Sequence, residues 1–180
     1  MFIPILSVVT AIFATLTILL RRKGKSFEGM LCKFISSFGF MSMAFIGFCY
    51  RIEEADKLVH PFYFCLVAFG LLFGLGGDVL LGIKEIAPKY KNKLIALGTF
   101  AFLIGHFFYL ASFYKAEPTF SIIPYIAAFV ITAIIAIIIK AVKMKLDSKM
   151  YILCVFYFFV IALCACVSGY MLYLTHSLTF

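Results

Sequence analysis

Six long apolar stretches, nearly free of charged side chains, restrict the fold of this chain more than any other feature. Each is about as long as a helix that crosses a hydrocarbon core of roughly 30 Å. Their apolar residues are continuous rather than alternating, which argues against the shorter strands of a membrane barrel. The sequence therefore predicts an all-α fold, a polytopic transmembrane bundle of about six helices. The stretches are Phe2–Leu20, Phe34–Tyr50, Phe62–Ile83, Leu94–Tyr114, Ile122–Ile139 and Met150–Leu174.

The overall composition excludes a soluble globular protein. Hydrophobic residues make up 65% of the chain, charged residues only 13%, and the mean hydropathy is +1.13. A soluble domain of this size could not cover its surface with so few charges, so lipid must be the solvent. No polar stretch exceeds about a dozen residues, which leaves no room for a separate soluble domain. We therefore expect one integral membrane helical domain over residues 1–180.

The basic residues predict the orientation of the chain. Thirteen of the 16 Lys and Arg residues fall in alternate loops, and only Arg51, Lys57 and Lys115 fall on the opposite side. This bias places the basic loops in the cytoplasm and both termini outside it, in a plasma or inner membrane. The first apolar stretch precedes its basic run, the reverse of a signal peptide, so it is expected to stay in the membrane. The thirteen are residues 21, 22, 23, 25, 33, 84, 89, 91, 93, 140, 143, 145 and 149.

The net charge of +8 needs no nucleic-acid partner, because topology and the anionic inner leaflet account for the basic loops. A specific phosphate site among Lys84, Lys89, Lys91 and Lys93 is the alternative interpretation. The sequence predicts no metal and no cofactor. Its six cysteines form no C-x-x-C pair and are expected to be small apolar residues, and the histidines at 60, 106 and 176 are widely scattered.

Asp78 is the only acidic residue inside an apolar stretch, in "FGLLFGLGGDVLLGI". On a helix, Gly70, Gly74 and Gly77 share one narrow sector and Asp78 borders it. Gly70-x-x-x-Gly74 is a small-residue pattern that lets another helix backbone come close. We therefore expect the carboxyl group to face a helix contact or a slot, near the helix end at Gly82. Burial and the negative end of the helix dipole would favour its protonated form there.

The fourth stretch repeats this arrangement around a histidine. In "GTFAFLIGHFFYLASF", Gly98, Gly105 and Tyr109 share a face that His106 borders. Two consecutive antiparallel helices thus each carry a small-residue face and one titratable group. Structural interpretations remain open: Asp78 bonded to a neighbouring helix or paired with Lys84, His106 as a hydrogen-bonded core residue, and Tyr109 as an ordinary packed aromatic.

Together, these two stretches resemble the paired motifs of the lysoplasmalogenase-like (YhhN) membrane family. Members show roughly G-L-x-F-S-x-x-G-D-x-x-L and then G-x-x-x-F-x-x-A-H-x-x-Y. The matching positions are Gly70, Leu71, Phe73, Gly77, Asp78 and Leu81, then Gly98, Phe102, His106 and Tyr109. Gly74 replaces the family's serine and Gly105 its alanine. Members usually have about eight spans and a second acidic motif, so the chain is expected to lack the last two spans.

The resemblance implies a hydrolase that cleaves the vinyl-ether bond of lysoplasmalogens to a fatty aldehyde and glycerophosphoethanolamine or glycerophosphocholine. Asp78 would be the acid or the group that stabilises the cation, His106 would activate or relay water, and Tyr109 would orient it. Gly70, Gly74, Gly77 and Gly105 would leave room for the substrate. The expected partners are a lysophospholipid substrate and membrane lipids.

Two other functions remain open. An acid and a histidine inside the membrane are also what a small proton-coupled transporter uses. A non-catalytic lipid-binding bundle is the third possibility, and the missing second acidic motif favours it.

Overall fold

The computed structural model describes residues 2–54, 61–116, 121–142 and 148–177, which are almost entirely helical. Six described helices are long and apolar enough to cross a membrane, so the predicted all-α membrane fold is confirmed. Lys57, Lys143 and Lys145, which contribute to the predicted orientation, and His60 lie outside the described residues. The helices are α1 (Phe2–Arg22), α2 (Ser26–Glu54), α3 (Pro61–Ile83), α4 (Lys91–Ala116), α5 (Ile123–Ala141) and α6 (Ser148–Ser177), and a 3-10 turn, Pro88–Tyr90, precedes α4.

The second helix differs most from the prediction. It begins at Ser26 rather than at Phe34, and it therefore includes Lys33. An apolar stretch ends at the first charged residue, but the backbone hydrogen bonds of a helix continue through charged residues. Lys33 is accommodated within the helix because its ammonium group pairs with Asp78. The prediction that Lys33 lies in a loop was wrong. Eight other basic residues assigned to loops lie in the end turns of helices: Arg21, Arg22, Arg51, Lys91, Lys93, Lys115, Lys140 and Lys149.

The surface of the helices is apolar, as a protein solvated by lipid requires. In each candidate span, at most 28% of the residues in its apolar 18-residue window are buried within the protein. Large aliphatic and aromatic side chains such as Phe129 and Ile137 are more than two-thirds exposed, at 69% and 67%. Exposed apolar area on this scale is unfavourable in water. The chain is therefore a multi-pass membrane protein.

The chain divides into two compact units, Met1–Gly105 and His106–Phe180, and the boundary falls within α4. The prediction of a single domain stays a prediction. In the first unit α1 packs along α2, and α2 packs against α3. The Ser36 hydroxyl of α2 donates to the Thr10 carbonyl of α1 at 3.2 Å. Because Gly39 has no side chain, α2 can lie directly against the Thr10 side chain of α1.

A glycine-dependent turn joins α1 to α2. Gly24 has φ of 75°, a left-handed conformation that other residues rarely adopt. The Lys25 N–H donates to the Leu20 carbonyl at 3.0 Å and the Gly24 N–H donates to the Arg21 carbonyl at 3.1 Å. This pair of bonds is the Schellman motif that ends many helices. It reverses the chain so that α2 returns along α1.

Glycines also bring α4 close to α3 within the first unit. A Cβ atom at Gly105 would lie 2.9 Å from the Gly70 carbonyl oxygen. A Cβ atom at Gly98 would lie 3.3 Å from the Gly77 carbonyl oxygen. These are backbone contacts, as the small-residue pattern predicted, and side chains at the same sites would hold the helices apart.

The second unit has a small core of apolar side chains from α4, α5 and α6, and α5 packs along α6. Pro124 is buried in the first turn of α5, a position that needs no backbone donor. The hydroxyl groups of Tyr114 and Tyr125 are in contact and join α4 to the start of α5. The Ser112 hydroxyl is almost fully buried and donates to the Tyr109 carbonyl at 2.7 Å. The core residues are Leu110, Ala128, Val160, Ala162, Leu163 and Val167.

We expect Gly105→Ala to lower the free energy of unfolding by about 1–3 kcal/mol, because the methyl group would press on the α3 backbone. Gly74→Ala is the matched control, since a Cβ atom there meets nothing within 4 Å. That control should be neutral or slightly stabilising, because alanine favours a helix. Thermal unfolding of the two variants in detergent measures the difference, and equal stabilities would contradict the close contact.

Candidate functional site

The carboxyl group of Asp78 lies between α3 and α2, where it has two polar partners. Lys33 Nζ is 2.5 Å from Asp78 Oδ1, and the Ser37 hydroxyl donates to Asp78 Oδ2. The side chains of Lys33 and Asp78 are 28% and 19% exposed. Both carboxylate oxygens are therefore bonded, and the acid is shielded from lipid.

The sequence of α2 explains this arrangement. Lys33 and Ser37 are four residues apart, so they lie one above the other on one face of the helix. Gly82 on α3 lies against the Met30 side chain, where a Cβ atom would be 2.5 Å from the methionine Cγ. This contact at the end of α3 fixes the register that brings Asp78 opposite Lys33.

One structural interpretation of Asp78, a bond to a neighbouring helix, is confirmed by Ser37, and the other, a pairing with Lys84, is wrong for this carboxylate. Its cationic partner is Lys33 on another helix and not Lys84, six residues further along its own helix. At rest Asp78 is best described as one half of an ion pair.

His106 lies in the second unit, among aromatic side chains. Its ring meets the Tyr109 and Tyr157 rings edge to face, with centroids 5.9 and 5.7 Å apart. The Cys164 thiol lies 3.5 Å from the His106 carbonyl oxygen as a weak donor. The structure thus places His106 beside Tyr109 and Tyr157, and the catalytic roles of His106 and Tyr109 stay a prediction. The shared cleft of Asp78 and His106 stays a prediction.

The four glycines assigned to substrate binding differ in the space around them. Gly70 is buried. A Cβ atom at Gly77 would lie 2.8 Å from the Phe102 ring, and Gly105 lies against the α3 backbone. Gly74, by contrast, has open space beside it. Their role in substrate binding stays a prediction, and Gly74 is the position where the structure offers room.

No metal-binding group of three His, Cys, Asp or Glu residues occurs in the part of the chain that the structure describes. All six cysteines are free, and they range from half-buried to exposed.

The comparison with known proteins decides the family. The model of the YhhN family matches residues 30–179 of this chain. The chain belongs to the YhhN family. The match includes Lys33 and Ser37 on α2, Asp78 on α3 and His106 on α4, so every group of the candidate site lies within the YhhN region. No curated protein and no solved structure matches the chain.

Three residues that contact the predicted site residues were missed in the sequence. Lys33 and Ser37 lie 45 and 41 residues before Asp78, and Tyr157 lies 51 residues after His106, so no local pattern links them. One indication was present: a lysine followed four residues later by a serine at the edge of an apolar stretch places two polar groups on one helix face.

We expect Lys33→Met and Asp78→Asn each to lower the free energy of unfolding by about 1–3 kcal/mol, because each leaves the other group partly buried without its partner. The double variant should lose less than the sum of the two. Thermal or SDS-induced unfolding gives the coupling.

Lys84→Met is the matched control, because it removes a lysine near Asp78 that is not its partner. Coupling between Lys84→Met and Asp78→Asn as large as that for Lys33 would contradict the observed ion pair.

Proposed function

We propose that this protein is a membrane-embedded hydrolase that cleaves the vinyl-ether bond of lysoplasmalogens. Membership of the YhhN family is compatible with a lysoplasmalogenase-like role. The observation that carries the proposal is the carboxyl group of Asp78, which is held inside a span by Lys33 and Ser37. An ionisable group within the membrane is expensive to maintain and marks a functional site by default.

The reaction needs an acid and a base in turn. A proton added to the alkene carbon that is not bonded to oxygen creates an oxocarbenium ion, water adds to that ion, and the resulting hemiacetal separates into a fatty aldehyde and a glycerol hydroxyl group. Water is the only co-reactant. A proton donor near an apolar chain, and an anion near the developing cation, would therefore accelerate it.

The Lys33–Asp78 pair has the chemistry for both steps. A lipid that enters beside the pair displaces water, and low polarity favours transfer of a proton from the ammonium group to the carboxylate. Asp78 then protonates the vinyl carbon, and its carboxylate stabilises the oxocarbenium ion. Lys33, now a neutral amine, accepts the proton released by the attacking water, which restores the ion pair.

Ser37 holds the carboxylate through its hydroxyl group and fixes its orientation. His106 and Tyr109 keep the roles that the sequence predicted, relay of a proton and orientation of water. Gly74, which has open space beside it, would accept part of the substrate.

A proton-coupled carrier is the second candidate. The same ion pair favours it, because a Lys–Asp pair in a span can take up and release a proton as it opens and closes. A carrier would move protons or a labelled lipid across a liposome membrane and would release no aldehyde.

We expect purified protein in detergent to release fatty aldehyde from a lysoplasmalogen but not from the saturated alkyl-ether analogue. Asp78→Asn should lower the rate by about 100-fold or more, and Lys33→Met by at least about tenfold, because each removes one partner in proton transfer. Trapping the aldehyde with a hydrazine reagent measures the rate.

Glu85→Gln is the matched control, because it neutralises an exposed acid seven residues beyond Asp78. Its rate should equal that of the unaltered protein. Absence of aldehyde from the unaltered protein, or full activity of Asp78→Asn, would sink the proposal.

A further inference from the structure

Arg21 has an unusual position at the end of α1. It lies in the last turn, directly before the Schellman turn at Gly24. Its Cγ atom would lie 3.0 Å from a Cβ atom at Gly29, a buried residue of α2. The absence of a side chain at Gly29 therefore lets the aliphatic part of Arg21 lie across α2.

Two donors of the Arg21 guanidinium group have no acceptor. Nε and Nη2 are buried, and neither has a hydrogen-bond partner among the described residues. Buried polar groups nearly always have partners, and an unpaired charge is costlier still. Glu28, in the first turn of α2, is exposed, and no ion pair joins it to Arg21 in the described part of the chain. Among the described residues, Arg21 thus has no acceptor for Nε or Nη2 and no acidic partner.

The shape of this unpaired group selects an anion. Nε and Nη2 lie on one edge of the planar guanidinium group, where their two N–H bonds can meet two oxygens of one phosphate or carboxylate. Arg21 is half-buried at a helix end, so rotation of its long side chain can turn this edge to a ligand at the membrane surface. Phosphate is the anion that every phospholipid headgroup carries.

Arg21 is also close, along α2, to the Asp78 site. Gly29, Lys33 and Ser37 follow one another at four-residue intervals, each about 6 Å further along the helix axis. Arg21 contacts the first of these positions, and Asp78 bonds to the other two. The glycerol carbons of a lysoplasmalogen separate its phosphate from its vinyl ether by a similar length.

We propose that Arg21 binds the phosphate group of the lysophospholipid whose vinyl ether lies at Asp78. This inference rests on the proposed function and adds the headgroup contact to it. The alternative phosphate site among Lys84, Lys89, Lys91 and Lys93 stays a prediction. The phosphate contact fixes the depth of the substrate, so that its alkene meets the Lys33–Asp78 pair.

The test uses a saturated alkyl-ether lysophospholipid, which carries the phosphate but cannot be hydrolysed. We expect Arg21→Gln to bind it at least about tenfold more weakly than the unaltered protein, because two charge-assisted hydrogen bonds are lost. Arg22→Gln is the matched control: it removes the same charge from the adjacent, exposed arginine and should change binding by less than about twofold. Equilibrium binding in neutral detergent measures both.

Three further measurements separate phosphate binding from a structural role of Arg21. A 1-alkylglycerol without phosphate should bind weakly and equally to all proteins. Arg21→Lys should bind the phosphate analogue with intermediate affinity, because a lysine keeps the charge but not the two-donor edge. Without ligand, Arg21→Gln should unfold at the same temperature as the unaltered protein or higher, since it removes an unpaired buried charge.

Several results would overturn the inference. Equal binding to Arg21→Gln and Arg22→Gln, tight binding of the phosphate-free analogue, or unliganded destabilisation of Arg21→Gln would each do so. Displacement of the analogue by an equal concentration of diacyl phosphatidylglycerol would indicate a general lipid site and would also overturn it. Binding that depends on Arg21, without release of aldehyde, would reject only the hydrolase. Release of aldehyde by the unaltered protein, with unchanged binding of the phosphate analogue by Arg21→Gln, would reject only the phosphate contact.

Discussion

A carboxylate inside an apolar helix has to be compensated, and the first unit is arranged around that requirement. Asp78 would be strongly unfavourable against lipid. Lys33 and Ser37 on α2 supply the compensation, one for each oxygen. That pairing requires α2 to continue as a helix through its charged first turns, and it requires α3 to stand at a fixed register. The packing of the first unit therefore follows from a single carboxyl group.

Helix length and apolar composition were predictable from the sequence, because crossing a membrane sets both. The close approach at Gly70 and Gly105 also followed from spacing alone, since small residues on one face have few other uses in lipid. The partners of Asp78 and His106 were not predictable. Lys33 and Tyr157 come from other helices, and their pairing depends on register, which hydropathy does not encode. The start of α2 was misplaced for the same reason, because Lys33 was taken as a loop residue.

Gly105 and Gly74, the two glycines that depart from the family motifs, differ in the space around them. Gly105 has the α3 backbone against it, so the alanine of the related motif would not fit here without a shift of the helices. Gly74 has room for the serine of that motif. One departure from the family pattern thus changes the distance between two helices, whereas the other changes only the polarity of an open position.

The short connection between α1 and α2 has a consequence for biosynthesis. Only Lys23, Gly24 and Lys25 separate the two helices, and the left-handed Gly24 closes the turn. As the chain leaves the ribosome, the second helix follows the first with no slack, so the two partition into the bilayer as one helical hairpin. A residue with a side chain at position 24 would strain this turn, because such residues rarely adopt a positive φ, and would loosen the hairpin at its tip.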